Sequence, residues 1–185
     1  ITAIDTYGVK DAEKPVDTDG DGVMDVFDVY PTDPERAYIN YYPAKDTWGT
    51  LAFEDMFPNT GDYDMNDLVM SYRYTMISNA QNNVVEMNAE YQPLANGAAY
   101  HNAFAVQFPF ASNLIKSATG QKVSTGLAKL NANGTEAGQT KAVIMPFDDV
   151  SAVLFNPGGA YFANTRMDFD KVSAAPISVF ISFTS

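Results

Sequence analysis

Residues 85–92 read Val-Glu-Met-Asn-Ala-Glu-Tyr-Gln, so apolar residues at odd positions alternate with polar residues at even positions. Residues 104–110, Phe-Ala-Val-Gln-Phe-Pro-Phe, place a large apolar side chain at every second position in the same way. Successive side chains of a β-strand point to opposite faces of a sheet, so this period of two predicts strands with one buried face. These two stretches are the strongest strand predictions in the chain.

Weaker strand patterns extend over much of the remaining sequence. We predict strands over 50–53, 68–77, 141–147 and 177–184, and a weak one over 1–9, because turn-forming Asn, Gly and Pro residues separate them. One short helix is expected to start at Asp148 or Asp149 and to run towards Leu154, with an Asp as its N-cap. The pattern predicts an all-β fold, an antiparallel β-sandwich or jelly roll with an irregular N-terminal loop module.

The composition of the 185 residues is that of a folded domain. It is 46% hydrophobic and 13% aromatic, which excludes intrinsic disorder over the whole length. No run of about 18 apolar residues is present, so we expect no transmembrane segment. Because the chain has no cysteine, disulfides and thiolate metal sites are excluded.

The net charge of −12 is confined to the first 70 residues, which hold 16 of the 23 acids and four of the 11 bases. Such a concentration of negative charge repels itself unless cations neutralise it. The phosphates of a nucleic acid favour Lys and Arg, so this balance excludes nucleic acid as a partner.

Residues 17–28, Asp-Thr-Asp-Gly-Asp-Gly-Val-Met-Asp-Val-Phe-Asp, have the ligand spacing of a twelve-residue calcium loop. Prolines at 15 and 31 exclude the flanking helices of an EF-hand. Gly22 permits the turn that directs the next carbonyl inward. The alternative is a solvated acidic loop that uses Asp and Gly as turn formers. The calcium ligands predicted here are Asp17, Asp19, Asp21, the carbonyl of Val23, Asp25 and Asp28.

A second acidic cluster lies between two predicted strands. If residues 62–66 are extended, their acidic and amide side chains point one way and face the acids that follow the preceding strand. That arrangement predicts a second oxygen site for Ca²⁺. The alternative is an Asx-turn network in which Asp64 and Asp67 bond to loop amides while Asp62 is solvated. The predicted ligands are Glu54, Asp55, Asp62, Asp64, Asn66 and Asp67.

The change from polar to period-two sequence suggests two parts: residues 1–48, an N-terminal segment with the Asp-rich loop, and residues 49–185, the β-sandwich. The sequence starts at Ile1 and not at a methionine, so we expect a processed or trimmed fragment.

The stretch DTDGDGVMDVFDVYPTD resembles a thrombospondin type 3 calcium repeat. With WGTLAFEDMFPNTGDYDMNDLVMSYRY and GAAYHNAFAVQFPF following in order, the chain resembles the LruC domain family of bacterial surface proteins. This resemblance implies an exported, calcium-containing β-rich domain without enzymatic activity, located outside the cell or at the cell surface in association with the bacterial outer membrane. Because family members often continue past a strand like 177–184, the last strand is expected to lack a partner.

These observations leave two classes of function. The first is a noncatalytic, calcium-stabilised module for adhesion or display, which would contact a host or cell-surface glycan or protein. The second is a carbohydrate-recognition domain that uses calcium or exposed aromatic residues, with Trp48, Tyr41 and Tyr42 as candidates. Trp48 packed at the end of the sandwich is the alternative reading of that side chain. The single histidine, His101, has no nucleophile motif beside it, so we expect no enzyme.

Overall fold

The computed structural model describes residues 15–157 and 162–184, which form an all-β fold. Its strands are β1 (Tyr38–Tyr42), β2 (Gly49–Phe53), β3 (Leu68–Ser78), β4 (Val84–Ala95), β5 (Phe104–Gln107), β6 (Ile115–Thr119), β7 (Val143–Phe147) and β8 (Ile177–Phe183). A four-residue helix, α1 (Val150–Val153), and a short 3₁₀ turn (Ser112–Leu114) complete the regular structure. No helix among the described residues is long and apolar enough to cross a membrane.

Six strands form one antiparallel sheet, and two form a second sheet. The large sheet has the order β1-β3-β4-β8-β6, and β2 also pairs with β3. The first part of β3 pairs with β2 and its last part pairs with β1, so one long strand joins both short ones. The small sheet consists of β5 and β7. The two sheets pack in a sandwich-like arrangement, and the predicted all-β antiparallel fold class is confirmed.

The core between the sheets is built by the period-two residues. In β4 the odd-numbered Met87, Ala89 and Tyr91 are buried, as the alternation predicts. Phe104 of β5 lies between Tyr91 and Phe147, with ring centroids 5.5 and 6.1 Å away. Tyr91 is only 1% exposed, and desolvation by burial raises the pKa of its hydroxyl. These aromatic contacts join the two sheets.

Several element boundaries differ from the prediction. The strand predicted over 104–110 ends at Gln107, because Pro109 cannot donate a ladder hydrogen bond. The alternation of burial nevertheless continues, because Phe108 and Phe110 are half-buried and Pro109 is exposed. The Phe108 N–H donates to the Ala142 carbonyl, and the Ala142 N–H donates to the Phe110 carbonyl. The predicted helix is confirmed, with Asp149 accepting a hydrogen bond from the Ser151 N–H as its N-cap.

Two strands were not predicted, and one expectation about pairing is wrong. The strands β1 and β6 have no counterpart among the predicted strands. The last strand, β8, has partners on both sides, since it lies between β4 and β6. The weak strand predicted over 1–9 falls outside the described residues.

The segment before residue 49 contributes to the large sheet. β1 pairs with β3 over five residue pairs, and the Ala37 N–H donates to the Ser78 carbonyl. The Val29 N–H donates to the Ala37 carbonyl, which ties the end of the Asp-rich loop to the start of β1. The loop therefore lies at the end of the sandwich where β3 finishes.

Candidate functional site

The first acidic cluster is held on an irregular loop that precedes β1. A carboxylate oxygen from each of Asp17, Asp19 and Asp21 lies within 4.8 Å of one from each of the others. Three like charges at this separation repel one another unless a cation or hydrogen-bond donors compensate them. This trio is the part of the predicted first site that the structure brings together.

Backbone amides supply part of that compensation. Asp17 accepts hydrogen bonds from the Gly20 N–H at 2.8 Å and the Gly22 N–H at 3.1 Å. Asp21 Oδ1 accepts from the Val23 N–H at 2.7 Å. Gly20 and Gly22 have φ values of +79° and +98°, so the turn needs the left-handed conformation that glycine adopts without strain.

Two oxygens of the trio have no such partner. Among the residues that the structure describes, Asp19 Oδ2 and Asp21 Oδ2 are buried and accept no hydrogen bond. A buried carboxylate oxygen without a partner destabilises the folded state, because its hydrogen bonds to water are lost and no others replace them. These two atoms are where a hard cation would have most effect.

The other predicted ligands of the loop have different surroundings. Asp25 accepts from the Thr18 N–H at 2.8 Å and from the Thr18 hydroxyl at 2.7 Å, which uses both its oxygens. Asp28 Oδ1 accepts from the Tyr30 N–H at 2.6 Å, while Oδ2 is buried and accepts no hydrogen bond within the described part of the chain. The Val23 side chain is buried, and a ligand role for its carbonyl stays a prediction.

The second acidic cluster lies on the loop that joins β2 to β3. Carboxylate oxygens of Glu54, Asp62 and Asp64 lie within 4.8 Å of one another. Glu54 Oε1 accepts a hydrogen bond from the Met65 N–H at 2.5 Å, while Oε2 is buried and accepts none from the described residues. Glu54 thus resembles Asp19 and Asp21, because each has one buried carboxylate oxygen that accepts no hydrogen bond from the described residues.

The backbone reaches this geometry in a way that the sequence analysis did not predict. Tyr63 and Met65 have φ values of +58° and +54°, so residues 62–66 are not extended, and that premise was wrong. Two left-handed residues cost conformational energy, which the surrounding loop must offset. Asp62 and Asp64 still come together with Glu54.

The remaining acids and the amide of this loop make internal hydrogen bonds. Asp67 Oδ2 accepts from the Asp55 N–H at 2.8 Å, and the Asn66 side-chain amide donates to Asp64. Desolvation and the nearby charge of Asp67 raise the pKa of Asp55. Asp55, Asn66 and Asp67 thus lie outside the trio, and Asp67 follows the Asx-turn alternative.

Exposed aromatic side chains border the second trio. Phe57 is 85% exposed and Tyr63 is 69% exposed. Both line a cavity of about 360 Å³ with Glu54 and Met65. The aromatic candidates predicted from the sequence, Trp48, Tyr41 and Tyr42, are different residues, although Phe57 and Tyr63 lie among the acids of this loop. Asp62 and Asp64 are also exposed, so this site is more open to solvent than the half-buried Asp19 and Asp21.

The two trios lie at opposite ends of the sandwich. The second cluster precedes the first residue of β3, and the Asp-rich loop is tied to its last residue through Ala37. The eleven residues of β3 span roughly 33 Å at about 3.3 Å per residue. A cation bound at one cluster would therefore make no direct contact with the other cluster.

Other candidate side chains have conventional partners. Trp48 lies under the guanidinium of Arg73, 4.4 Å from its centre to the ring centroid, and Arg73 also bonds to Glu90 at 2.6 Å. His101 Nδ1 lies 2.9 Å from Asp149, which is also the N-cap of α1. The cation–π contact covers a face of Trp48 that the sugar-binding hypothesis required.

Comparison with known proteins identifies a family. The model of a family described as a domain of unknown function (DUF4842) matches residues 82–185. No curated protein and no solved structure matches the chain. Both acidic clusters precede the matched residues, so the match carries no information about them.

Proposed function

Because this chain belongs to the DUF4842 family, whose description assigns no activity, we propose a function from its own geometry: it is a noncatalytic calcium-binding module with calcium as a structural ion. Two sites are involved, one in residues 17–28 and one in residues 54–67. Their ions hold the loops at the two ends of the sandwich.

The observation that carries the proposal is a set of buried carboxylate oxygens that accept no hydrogen bond from the described residues. Four such atoms occur in the two acidic clusters: Asp19 Oδ2, Asp21 Oδ2, Asp28 Oδ2 and Glu54 Oε2. An uncompensated buried carboxylate destabilises the folded chain, and a bound cation would reverse the sign of that contribution. The same atoms then become ligands.

The chemistry of the donor set supports calcium over softer metals. Both clusters offer carboxylate oxygens, and the chain contains no cysteine and one histidine. Hard cations prefer such oxygens, and Ca²⁺ tolerates six to eight of them at irregular geometry, whereas Mg²⁺ demands a near-ideal octahedron. Irregular loops that bring three carboxylates together therefore suit Ca²⁺ better than Mg²⁺.

Location and biological role are proposed from the same features. We infer an exported module of a bacterial surface protein, associated with the outer membrane and serving in adhesion or display. Extracellular modules use calcium sites of about 10⁻⁴ to 10⁻³ M affinity, which open loops with few ligands can supply. The resemblance to the LruC domain family and to thrombospondin type 3 repeats supports this inference, and a host or cell-surface glycan or protein is the expected partner.

Calorimetric titration of chelator-treated protein with calcium tests the proposal. We expect two ions per chain in the wild type and one in the double variant Asp19→Ala/Asp21→Ala. Glu35→Ala is the matched control, because Glu35 is an exposed acid of the same segment outside both trios. An unchanged stoichiometry in the double variant would remove the first site, and no calcium binding by the wild type would end the proposal.

A further inference from the structure

The outer face of the six-stranded sheet carries a row of side chains that crosses five strands. The register pairs Tyr41 with Thr75, Thr75 with Asn88, Asn88 with Phe180, and Phe180 with Thr119. The residues on either side of Asn88 and Phe180 along β4 and β8 are buried in the core. Because successive side chains alternate between faces, this row stands on the face that turns away from the second sheet.

A cavity of about 350 Å³ lies along this row. Its lining combines the apolar side chains of Ile77, Met87, Phe180 and Ile181 with hydroxyl and amide groups and with the acidic Glu86. Ser117 and Ser182 form a hydroxyl pair at 2.7 Å within it. The lining side chains of the row and its neighbours are Thr75, Asn88, Ser117, Thr119, Phe180 and Ser182.

The centre of the row contains a polar atom with no partner. Asn88 Oδ1 is buried and accepts no hydrogen bond from the residues that the structure describes. Buried amide oxygens are almost always hydrogen-bonded, because an unmade bond costs the full desolvation of the group. Because this oxygen is also closed to solvent, a donor outside the described chain can reach it only after a covering side chain moves.

The aromatic ring of Phe180, the cross-strand neighbour of Asn88, is exposed on a sheet face where polar side chains are usual. Phe180 is 57% exposed at the middle of β8, with Ser178 and Ser182 on the same face. β8 is an interior strand of the sheet, so the ring is held on a rigid platform and not on a mobile edge. Covering such a ring removes apolar surface from water, which favours binding of a ligand with an apolar face.

We propose that this groove binds a neutral oligosaccharide. A sugar ring combines an apolar C–H face, which suits Phe180, with hydroxyl donors, which suit Asn88 Oδ1 and the Thr and Ser hydroxyls around it. This proposal does not rest on calcium, since neither acidic trio lines the groove.

The other classes of ligand fit the groove less well. Glu86 in the lining disfavours an anionic ligand, and its carboxylate lies 3.7 Å from Arg36. Arg73, on the same face, is paired with Glu90 at 2.6 Å and offers little to a charged ligand. The backbone groups of β4 and β8 are used in pairing on both sides, so an extended peptide has no free edge to join. A net charge of −12 disfavours nucleic acid.

Titration of ¹⁵N-labelled protein with linear neutral oligosaccharides tests the inference. The probes are maltohexaose, cellohexaose, mannohexaose and xylohexaose, each taken to millimolar concentration. We expect at least one of them to shift the amide signals of Thr75, Asn88, Thr119 and Phe180 while leaving the Asp-rich loop unchanged. Phe180→Ala should weaken binding at least tenfold, whereas Phe57→Ala, which removes an exposed ring at one end of the sandwich, should leave it unchanged.

A second variant separates binding from folding. Asn88→Leu removes a group that makes no hydrogen bond within the described chain, so we expect the melting temperature to hold or rise while sugar binding is lost. Binding should persist in chelator at a temperature where circular dichroism shows the apo fold intact. Absence of shifts with all four sugars, full binding by Phe180→Ala, or loss of binding in chelator would each overturn the assignment.

Discussion

Glu54 accepts a hydrogen bond from the backbone N–H of Met65 at 2.5 Å, across the loop that joins β2 to β3. The contact uses Oε1, while Oε2 is buried and has no hydrogen bond from the described residues. It lies close to Gly61, where an added Cβ would sit 2.9 Å from it. One carboxylate thus ties the loop together and also supplies a buried oxygen that a cation could bind.

Glu54→Gln should remove calcium from the second site and keep the loop contact. The amide oxygen of Gln still accepts from the Met65 N–H, but the negative charge that attracts the cation is gone. We expect a lower melting temperature than the wild type in calcium and nearly the same one in chelator. Differential scanning calorimetry in both buffers measures this, with Glu35→Gln as the control. An equal loss of stability in both buffers would mean that Glu54 acts only through hydrogen bonds.

Calcium should raise the stability of the whole fold. An ion that binds only the native state contributes about 2.7 kcal/mol at a hundredfold excess over its dissociation constant. Urea unfolding with calcium and with chelator at matched ionic strength measures the difference. Identical midpoints in the two buffers would contradict a structural role.

The Asp-rich loop should loosen first when calcium is removed. Its amides at Gly20, Gly22 and Val23 bond to carboxylates that repel one another without a cation. We expect faster hydrogen exchange for these three amides in chelator, while the amides of β8 stay protected. Equal exchange of the loop in both buffers would show that the hydrogen bonds alone hold it.

Asp148 should stabilise the chain in a pH-dependent way. It is 1% exposed and accepts hydrogen bonds from the Ser124 N–H and from the N–H and hydroxyl of Thr125. Burial, the largest influence, raises the pKa of Asp148, but the hydrogen bonds together bring it below its usual value of 3.8. Since the folded pKa is depressed, the stabilisation is fully present above 3.8 and is lost as pH falls through the folded value.

Asp148→Asn tests this interpretation. The variant should lose about 2 to 3 kcal/mol at neutral pH, because hydrogen bonds to a charged acceptor are replaced by weaker ones. The gap to the wild type should narrow below pH 3.8. Urea unfolding in chelator at a series of pH values measures it, and a gap that does not change with pH would contradict the role of the charge.

Gly120→Ala should be far more damaging than Gly126→Ala. Both glycines have positive φ, +99° and +80°, so each substitution incurs about 1 kcal/mol of backbone strain. At Gly120 the added Cβ would also meet the Ser178 carbonyl oxygen at 2.1 Å, whereas at Gly126 nothing lies within 4 Å. The melting temperatures of the two variants separate the effect of backbone strain from that of steric overlap. An equal loss of melting temperature in both would contradict the close approach of Gly120 to β8.

The strands with strict alternation could be predicted from sequence, and others could not. β4 has four buried odd-numbered residues, Met87, Ala89, Tyr91 and Pro93, and the polar residues between them leave a strand as the only interpretation. β1, Tyr-Ile-Asn-Tyr-Tyr, carries no such contrast, because it lies at the sheet edge and most of its side chains remain exposed. β6, Ile-Lys-Ser-Ala-Thr, pairs with β8 through a register shift, and small residues such as Ala118 give a weak signal although they are buried.

The composition of the two acidic clusters could be predicted from the sequence, but their geometry could be predicted only in part. The spacing of Asp17, Asp19 and Asp21 directly predicted the trio that the structure forms. Asp25 lies outside this trio because both its oxygens accept hydrogen bonds from Thr18. The spacing of the acids in the sequence does not reveal that contact. In the second cluster, the left-handed backbone at Tyr63 and Met65 decides which acids meet, and non-glycine residues give no sequence signal for that conformation.

Diffraction from crystals grown with calcium, with an anomalous difference map, tests the central claim most directly. The account predicts one peak within about 2.3 to 2.6 Å of Asp19 Oδ2 and Asp21 Oδ2, and a second at the same distance from Glu54 Oε2. Crystals of Asp19→Ala/Asp21→Ala should lose the first peak and keep the second. A map without a peak at either trio, in crystals grown at saturating calcium, would contradict the account.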